Sequence, residues 1–328
     1  MRRGRDFILL AACALMSMPL TASAAQTQSY GVFDVTFFGV GEGTGLIAGE
    51  QNWTAPQMQS VGEALMAWCS GIANTPARQI RVHLFWSELD SAGANVLGGS
   101  ASYRAADGTT IWNLGELVWK ENYDPGQTGY GFDTIIQYDI TCAGQQWNFS
   151  QAAPKANEVD FRSVISHEIG HSLGFDSSYD REYDDWGWIG DQYAGLTAWE
   201  KNLVDSSGNK PSSGGYGTPG DFNEADAPVY WDGENASALL GAPVPVYAPN
   251  PFEPGSSLVH LDESTFDGLM MTPAIATGQM ARTVSDLEWA MMKDMGWSVV
   301  PEPATLLLLA AGALGLVRRR KTARSSNR

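Results

Sequence analysis

Residues 79–86 alternate strictly: Ile80, Val82, Leu84 and Trp86 fall on one side, Arg81, His83 and Phe85 on the other. Period two marks a strand with one buried face. It leaves His83 on the polar side, as a partly exposed strand residue rather than a metal ligand. Residues 31–40, with Val32, Phe33, Val35, Phe37 and Phe38, and residues 132–140 predict two more strands. At 54–70 the period becomes helical. Met58, Val61 and Leu65 form the inner stripe, Thr54 and Gln57 make a capping box, and Gly71 fits the stop. Residues 286–295 repeat the design with Val284, Leu287 and Met291 inside, Ser285 and Glu288 as the box, and Gly296 as the stop. A third helix is predicted over 158–173. Val164, Ile165, Ile169 and Leu173 recur at helical spacing, Asn157 is the expected cap, and Gly174 the expected end.

This order of elements predicts an α+β fold. Residues 25–175 should form a twisted mixed sheet with two helices packed on it, the short strands and loops of the glycine-rich stretch 97–119 included. Residues 176–300 change character and should form a second, loop-rich lobe ending in a helix. Within that lobe a helix is expected over 195–204 and a loop over 212–220. Trp186, Trp188, Tyr230 and Trp231 demand burial there, so the segment is not expected to be disordered.

The flanks are processing signals. Arg2, Arg3 and Arg5 precede an apolar run from Phe7 to Leu20, and Ala22-Ser23-Ala24 gives a small-residue cleavage pattern. That is an export signal, with the mature chain expected from Ala25. At the other end Pro301-Glu302-Pro303 is followed by an apolar run from Ala304 to Val317 and then by Arg318, Arg319, Arg320 and Lys321. The run is short for a membrane span, which needs about 20 residues, although a plain tail anchor is the competing reading. The tripartite end of 301–328 resembles the PEP-CTERM sorting signal of Gram-negative bacteria. The resemblance implies recognition and cleavage by an exosortase, transient membrane contact through the C-terminal segment, and delivery to the cell surface or extracellular matrix.

Nine of the 20 Lys and Arg but only two of the 37 acids lie in these flanks, so residues 25–300 carry 11 bases against 35 acids, a net charge of −24. Such a surface repels nucleic acid. Asp176, Asp180, Asp184 and Asp185 are candidate ligands for Ca2+, with a solvated acidic loop as the plainer reading. Cys13 leaves with the export signal. Cys69 and Cys142 remain, either as one disulfide or as two buried thiols.

The candidate chemistry lies in the third helix. His167-Glu168-Ile169-Gly170-His171 is an H-E-x-x-H pattern. Residues four apart share a helix face, so two imidazoles can aim at one Zn2+ ion. Glu168, beside the first of them, can take a proton from an activated water. Two unrelated histidines on a solvated face would be the bland alternative. The chain has only four histidines, His83, His167, His171 and His260. Catalytic zinc usually takes three protein ligands, which leaves His260 as the candidate third.

The motif runs on to Gly174 as H-E-x-x-H-x-x-G, the opening of the metzincin signature. In most metzincins the third ligand follows three residues after that glycine. Here the position holds Ser177, and Asp176 is one place early. Leishmanolysin-like metallopeptidases instead insert a long segment before the third histidine, and a methionine turn follows. Ser256 to Glu263, with His260, and then Leu269-Met270-Met271-Thr272-Pro273 resemble that branch. The resemblance implies a metzincin-like fold and a zinc endopeptidase acting on a protein or peptide substrate. It also implies His167, His171 and His260 as ligands, Glu168 as general base and Met271, or alternatively Met270, as the apolar floor. Two other readings compete: a zinc hydrolase with an acidic third ligand such as Glu200, and a matrix or adhesion protein with a purely structural metal site. The processing signals make one prediction: intact-mass measurement on protein from its host should show a chain lacking residues 1–24 and the tail beyond 301–303, and a chain still beginning at Met1 would contradict it.

Overall fold

The computed structural model describes residues 25–45, 47–89, 96–124, 131–179, 186–189, 192–211 and 228–300. The export signal, the tail 301–328, the loop 212–220, Asp180, Asp184, Asp185 and the side chain of Trp188 lie outside the described residues.

The chain opens with an antiparallel hairpin, β1 (Gln26–Tyr30) and β2 (Phe33–Phe37), closed by a turn in which Gly31 adopts φ 58°. The sequence pattern predicted a single strand here. β1 escaped it because this edge strand is polar and largely exposed, so it carries no apolar alternation. Helix α1 (Ala55–Gly71) follows, with the Gln57 side chain accepting the Thr54 N–H at 2.7 Å as the capping box requires. Gly71 ends the helix for a different reason from the one expected. A Cβ there would lie 2.2 Å from the Trp289 ring, so the glycine admits a neighbouring tryptophan.

Next come β3 (Ile80–Ser87), β4 (Gly98–Ser102), β5 (Arg104–Ala106), β6 (Thr110–Asn113), α2 (Leu114–Lys120) and β7 (Thr134–Asp139). The main sheet has the order β1-β2-β3-β7-β4, with β2, β3 and β7 parallel and the two edge strands antiparallel. Helix α2 lies within the stretch expected to hold only strands and loops. The sheet is covered on both faces. One face packs Val35, Phe37, Val82, Leu84 and Ile136 against Val61, Leu65 and Trp68 of α1. The other carries a smaller cluster of Phe38, Phe85, Phe132 and Ile135. Phe85 is therefore buried rather than on a polar side. His83 remains partly exposed, its ring 4.9 Å from Phe38 and 5.1 Å from Phe132.

β8 (Gln146–Asn148) and β9 (Glu158–Asp160) pair in parallel and lead into α3 (Phe161–Ser172). The helix predicted from 158 thus starts three residues later. The cap is Asp160, whose Oδ2 accepts the Ser163 N–H at 3.0 Å, and not Asn157. Residues 158–160 are claimed by the strand pairing instead.

The second lobe holds β10 (Trp188–Ile189), β11 (Gln192–Tyr193), β12 (Leu196–Thr197), β13 (Leu203–Val204), β14 (Val229–Trp231), α4 (Glu234–Leu240), β15 (Val244–Val246), α5 (Glu263–Phe266) and α6 (Asp286–Asp294). The helix expected over 195–204 is replaced by β12, a 3-10 turn at Glu200–Asn202 and β13. Helix α4 was not predicted, since only Ala236 of its residues is buried and no apolar stripe betrays it. Trp186 and Trp231 are fully buried, and Tyr230 is partly so. The lobes are joined through buried donors. Trp297 Nε1 donates to Leu173 O at 3.1 Å and Lys120 Nζ to Met295 O at 2.9 Å. Cys69 and Cys142 are both free thiols.

Asp133 anchors the far side of the sheet. Its carboxylate is fully buried and accepts from Arg78 Nη2 and Arg81 Nη2, both at 2.8 Å. Burial alone would push this carboxyl up, but the two guanidinium groups outweigh it and hold it below the ordinary range. Asp133→Ala should cost about 3 kcal/mol or more in urea unfolding at pH 7, because Arg81 loses its carboxylate and Arg78 keeps only Asp124, at 3.2 Å. A group depressed in the folded state stabilises above its unfolded pKa and loses that contribution as pH falls through the folded value. The gap between variant and wild type should therefore narrow below about pH 4.

Candidate metal centre

Helix α3 is fixed at both ends. Asp160 at its start also receives Arg282 Nε at 2.9 Å, which ties the helix to the segment before α6. At its end Gly174 takes φ 116° and turns the chain, so that Phe175 O comes back to accept from His171 Nδ1 at 2.6 Å. His167 and His171 project from the same face, and their Nε2 atoms lie 3.0 Å apart.

His260 joins them from the second lobe. Its strand-like segment is held on one side by Tyr247 N–H donating to His260 O at 2.9 Å, and on the other by Leu261 N–H donating to Met271 O at 2.8 Å. Its Nε2 lies 3.1 Å from His167 Nε2 and 3.1 Å from His171 Nε2. The three nitrogens form a nearly equilateral triangle. Among the described residues no fourth histidine, cysteine or acid joins this cluster.

The proton positions follow from the partners. His167 Nδ1 meets Met270 O at 2.7 Å, His171 Nδ1 meets Phe175 O at 2.6 Å and His260 Nδ1 meets Ser256 O at 2.7 Å. A carbonyl only accepts, so each Nδ1 carries the proton and each Nε2 presents a lone pair. Burial keeps the rings neutral, pushing His167 down to about 3, His260 well below its usual value and His171 in the same direction. Three lone pairs facing one another at this distance repel unless a cation lies between them. The donor set fits zinc: a tetrahedral ion with Zn–N of about 2.0–2.1 Å needs N···N separations of about 3.3–3.4 Å, close to those observed.

Glu168 is 5 % exposed and does not join the triangle. Its carboxylate lies against β4, where a Cβ on Gly98 would come 3.2 Å from Oε1. Burial pushes the Glu168 carboxyl up to about 8, against the smaller pull of a hydrogen bond from the Ser100 side chain. Met271 is fully buried, and a Cβ on Gly170 would lie 2.4 Å from its sulfur. The methionine therefore packs on the bare backbone of α3 between the two histidines, and Gly170 is the residue that lets it. Met270, the alternative, contributes its carbonyl to His167. Glu288, expected only as a capping-box residue, also accepts the Met271 N–H at 2.7 Å.

The acidic alternatives are engaged elsewhere. Asp176 pairs with Arg104 Nη2 at 2.6 Å. Glu200 is fully buried and accepts from Ser177 Oγ at 2.9 Å, Ser178 Oγ at 2.8 Å and Thr197 N–H at 2.8 Å. Its inward pull on these donors explains why 200–202 is a tight turn and not a helix.

The chain matches the PEP-CTERM protein-sorting motif over residues 299–321. The tail is a PEP-CTERM sorting signal. It marks the protein as exported and sorted to the cell surface or extracellular space of a Gram-negative bacterium, with recognition by exosortase-type machinery. No curated protein matches the chain. The first two matched residues lie among the described ones: Val300 N–H donates to Gly71 O at 2.9 Å and Ala73 N–H to Ser298 O at 2.7 Å, clamping the chain to the end of α1 just before Pro301. Among the described residues no helix is long and apolar enough to cross a membrane.

The contact between Gly170 and Met271 gives a sign that helix propensity alone would get wrong. Gly170→Ala gains about 1 kcal/mol in helix propensity, but overpacking Met271 costs about 1–3 kcal/mol. Thermal unfolding of the metal-free variant should therefore show a loss of stability. A gain would contradict the packing role.

Proposed function

We propose that this protein is an exported zinc endopeptidase that resembles the leishmanolysin-like metzincins. The observation that carries the reading is the triangle of three Nε2 lone pairs, each fixed by a carbonyl on the opposite ring nitrogen. His167, His171 and His260 would hold the metal. Zinc bound there supplies a Lewis acid that polarises a carbonyl and makes water nucleophilic at neutral pH. Glu168 takes the water's proton on its carboxylate and returns it to the leaving amine. Its place suits that task, since it neighbours His167 in sequence yet stays outside the ligand set. Met271 supports the histidine pair from below, and Met270 holds the tautomer of His167.

Two features favour a catalytic site over a structural one. Among the described residues three ligands leave a coordination position free, and His167 and His171 are partly exposed. A structural zinc site closes with four ligands. Glu168 adds a buried carboxylate that is no part of the ligand set. The mixed sheet with its antiparallel edge strand β4 beside α3, and the third histidine and methionine turn arriving from a second lobe, are consistent with a metzincin-like fold.

The paired test compares Glu168→Gln with His260→Ala, reading zinc content by elemental analysis and hydrolysis of casein. Glu168→Gln should keep its zinc and lose nearly all activity, at least 100-fold for a general base. His260→Ala should lose both, whereas Asp176→Ala and Glu200→Ala should keep the metal. Full activity in Glu168→Gln would refute the mechanism. Hydrolysis absent from a zinc-loaded wild type across protein substrates would favour a structural site in a surface protein.

A further inference from the structure

The three carbonyls that hold the imidazoles belong to three peptide units, and each unit also has an N–H. For His171 the unit is Phe175–Asp176, and its N–H donates to Gly174 O at 2.8 Å. For His260 the unit is Ser256–Ser257, and its N–H donates to Glu253 O at 2.9 Å. Both end on neutral backbone carbonyls. For His167 the unit is Met270–Met271, and its N–H donates to Glu288 Oε1 at 2.7 Å. This unit alone ends on a carboxylate.

Glu288 is fully buried, and among the described residues no lysine or arginine pairs with it. Both of its oxygens are occupied as acceptors, Oε1 by Met271 N–H and Oε2 by Ser285 N–H at 2.7 Å. Helix capping needs only the second of these bonds. A buried carboxylate without a counter-cation is costly, so its place two hydrogen bonds from a cluster of converging lone pairs calls for a reason. Carboxylates that accept directly from a ligand histidine orient the ring and raise its basicity. An amide between the two can transmit the same effect, because a hydrogen bond at N–H increases the negative charge on the carbonyl oxygen, and bonds in a chain strengthen one another.

We propose that Glu288 is a positioning residue of the metal centre, acting on His167 through the Met270–Met271 peptide. The chain runs from the Glu288 carboxylate to Met271 N–H, through the amide to Met270 O, to His167 Nδ1–H, and so to the Nε2 lone pair. It fixes the tautomer of His167, strengthens the hydrogen bond at its Nδ1–H above those of the other two rings and places a carboxylate behind the ligand set. This rests on the proposed metal-binding role of the three histidines, but the electronic part is read without metal.

The test uses the protein labelled with 15N at histidine. In the metal-free state Glu288→Gln should move the His167 Nδ1–H resonance upfield, and those of His171 and His260 should stay in place as internal controls. Zinc affinity by chelator competition should fall about 10-fold or more. Ser285→Ala separates this role from capping. It removes the hydroxyl that accepts Glu288 N–H at 3.2 Å and also bonds to the carboxyl, but leaves the carboxylate on Met271 N–H, so it should lower thermal stability while moving His167 and zinc affinity far less than Glu288→Gln does. Should Glu288→Gln fail to fold, Glu288→Asp, which withdraws the charge by one methylene, should give the same His167-only shift in smaller measure. An unmoved His167 resonance, a shift shared equally by all three rings, or zinc affinity within twofold of wild type would overturn the proposal. A wild-type protein that binds no zinc would contradict the proposed function instead, and the metal-free His167 shift would still decide the relay.

Discussion

Three backbone carbonyls hold the candidate site together. Met270 O, Phe175 O and Ser256 O each take the proton of one Nδ1, and in doing so turn three lone pairs onto one point. None of these carbonyls is free to drift. Phe175 is placed by the turn at Gly174 that ends α3. Ser256 lies in a segment of hydrogen-bonded turns before His260, and Met270 is held through the peptide it shares with Met271. The sheet, α1 and α6 are the frame that keeps the three segments in register. Trp68 of α1, for example, donates to Ser166 O on α3 at 3.0 Å and packs 5.5 Å from Trp289 of α6.

The interior also holds several carboxylates, each treated differently. Glu116 has a buried lysine, Lys120, at 2.6 Å. Glu200 has a nest of Ser and Thr donors. Glu288 has two backbone N–H groups and, among the described residues, no cation. Glu168 has the least, a serine beside β4, and burial pushes its carboxyl up to about 8. Structural acids in this molecule are surrounded by donors. The one acid whose proposed task is to move a proton is not.

The parts of the fold legible in the sequence were those with a strong period or a local chemical mark. β3, α1 and α6 announced themselves by apolar spacing and capping boxes. The histidine pair was legible from spacing, and His260 from the scarcity of histidine together with the methionine turn behind it. What escaped was set by partners distant in sequence. The start of α3 moved from Asn157 to Asp160 because β9 pairs with β8. The expected helix at 195–204 gave way to a turn because Glu200 is drawn to Ser177 and Ser178. Gly71 and Gly170 are glycines for the sake of Trp289 and Met271, which no local reading shows. The capping box at Ser285 was visible, but not that its glutamate has a second oxygen committed to the Met271 peptide.

Zinc-edge X-ray absorption of the purified protein tests the central claim most directly. The account predicts a zinc shell of three imidazole nitrogens at about 2.0–2.1 Å, with the outer-shell scattering of intact rings and one further light atom. A shell dominated by carboxylate or water oxygens, or one with fewer than three imidazoles, would contradict it.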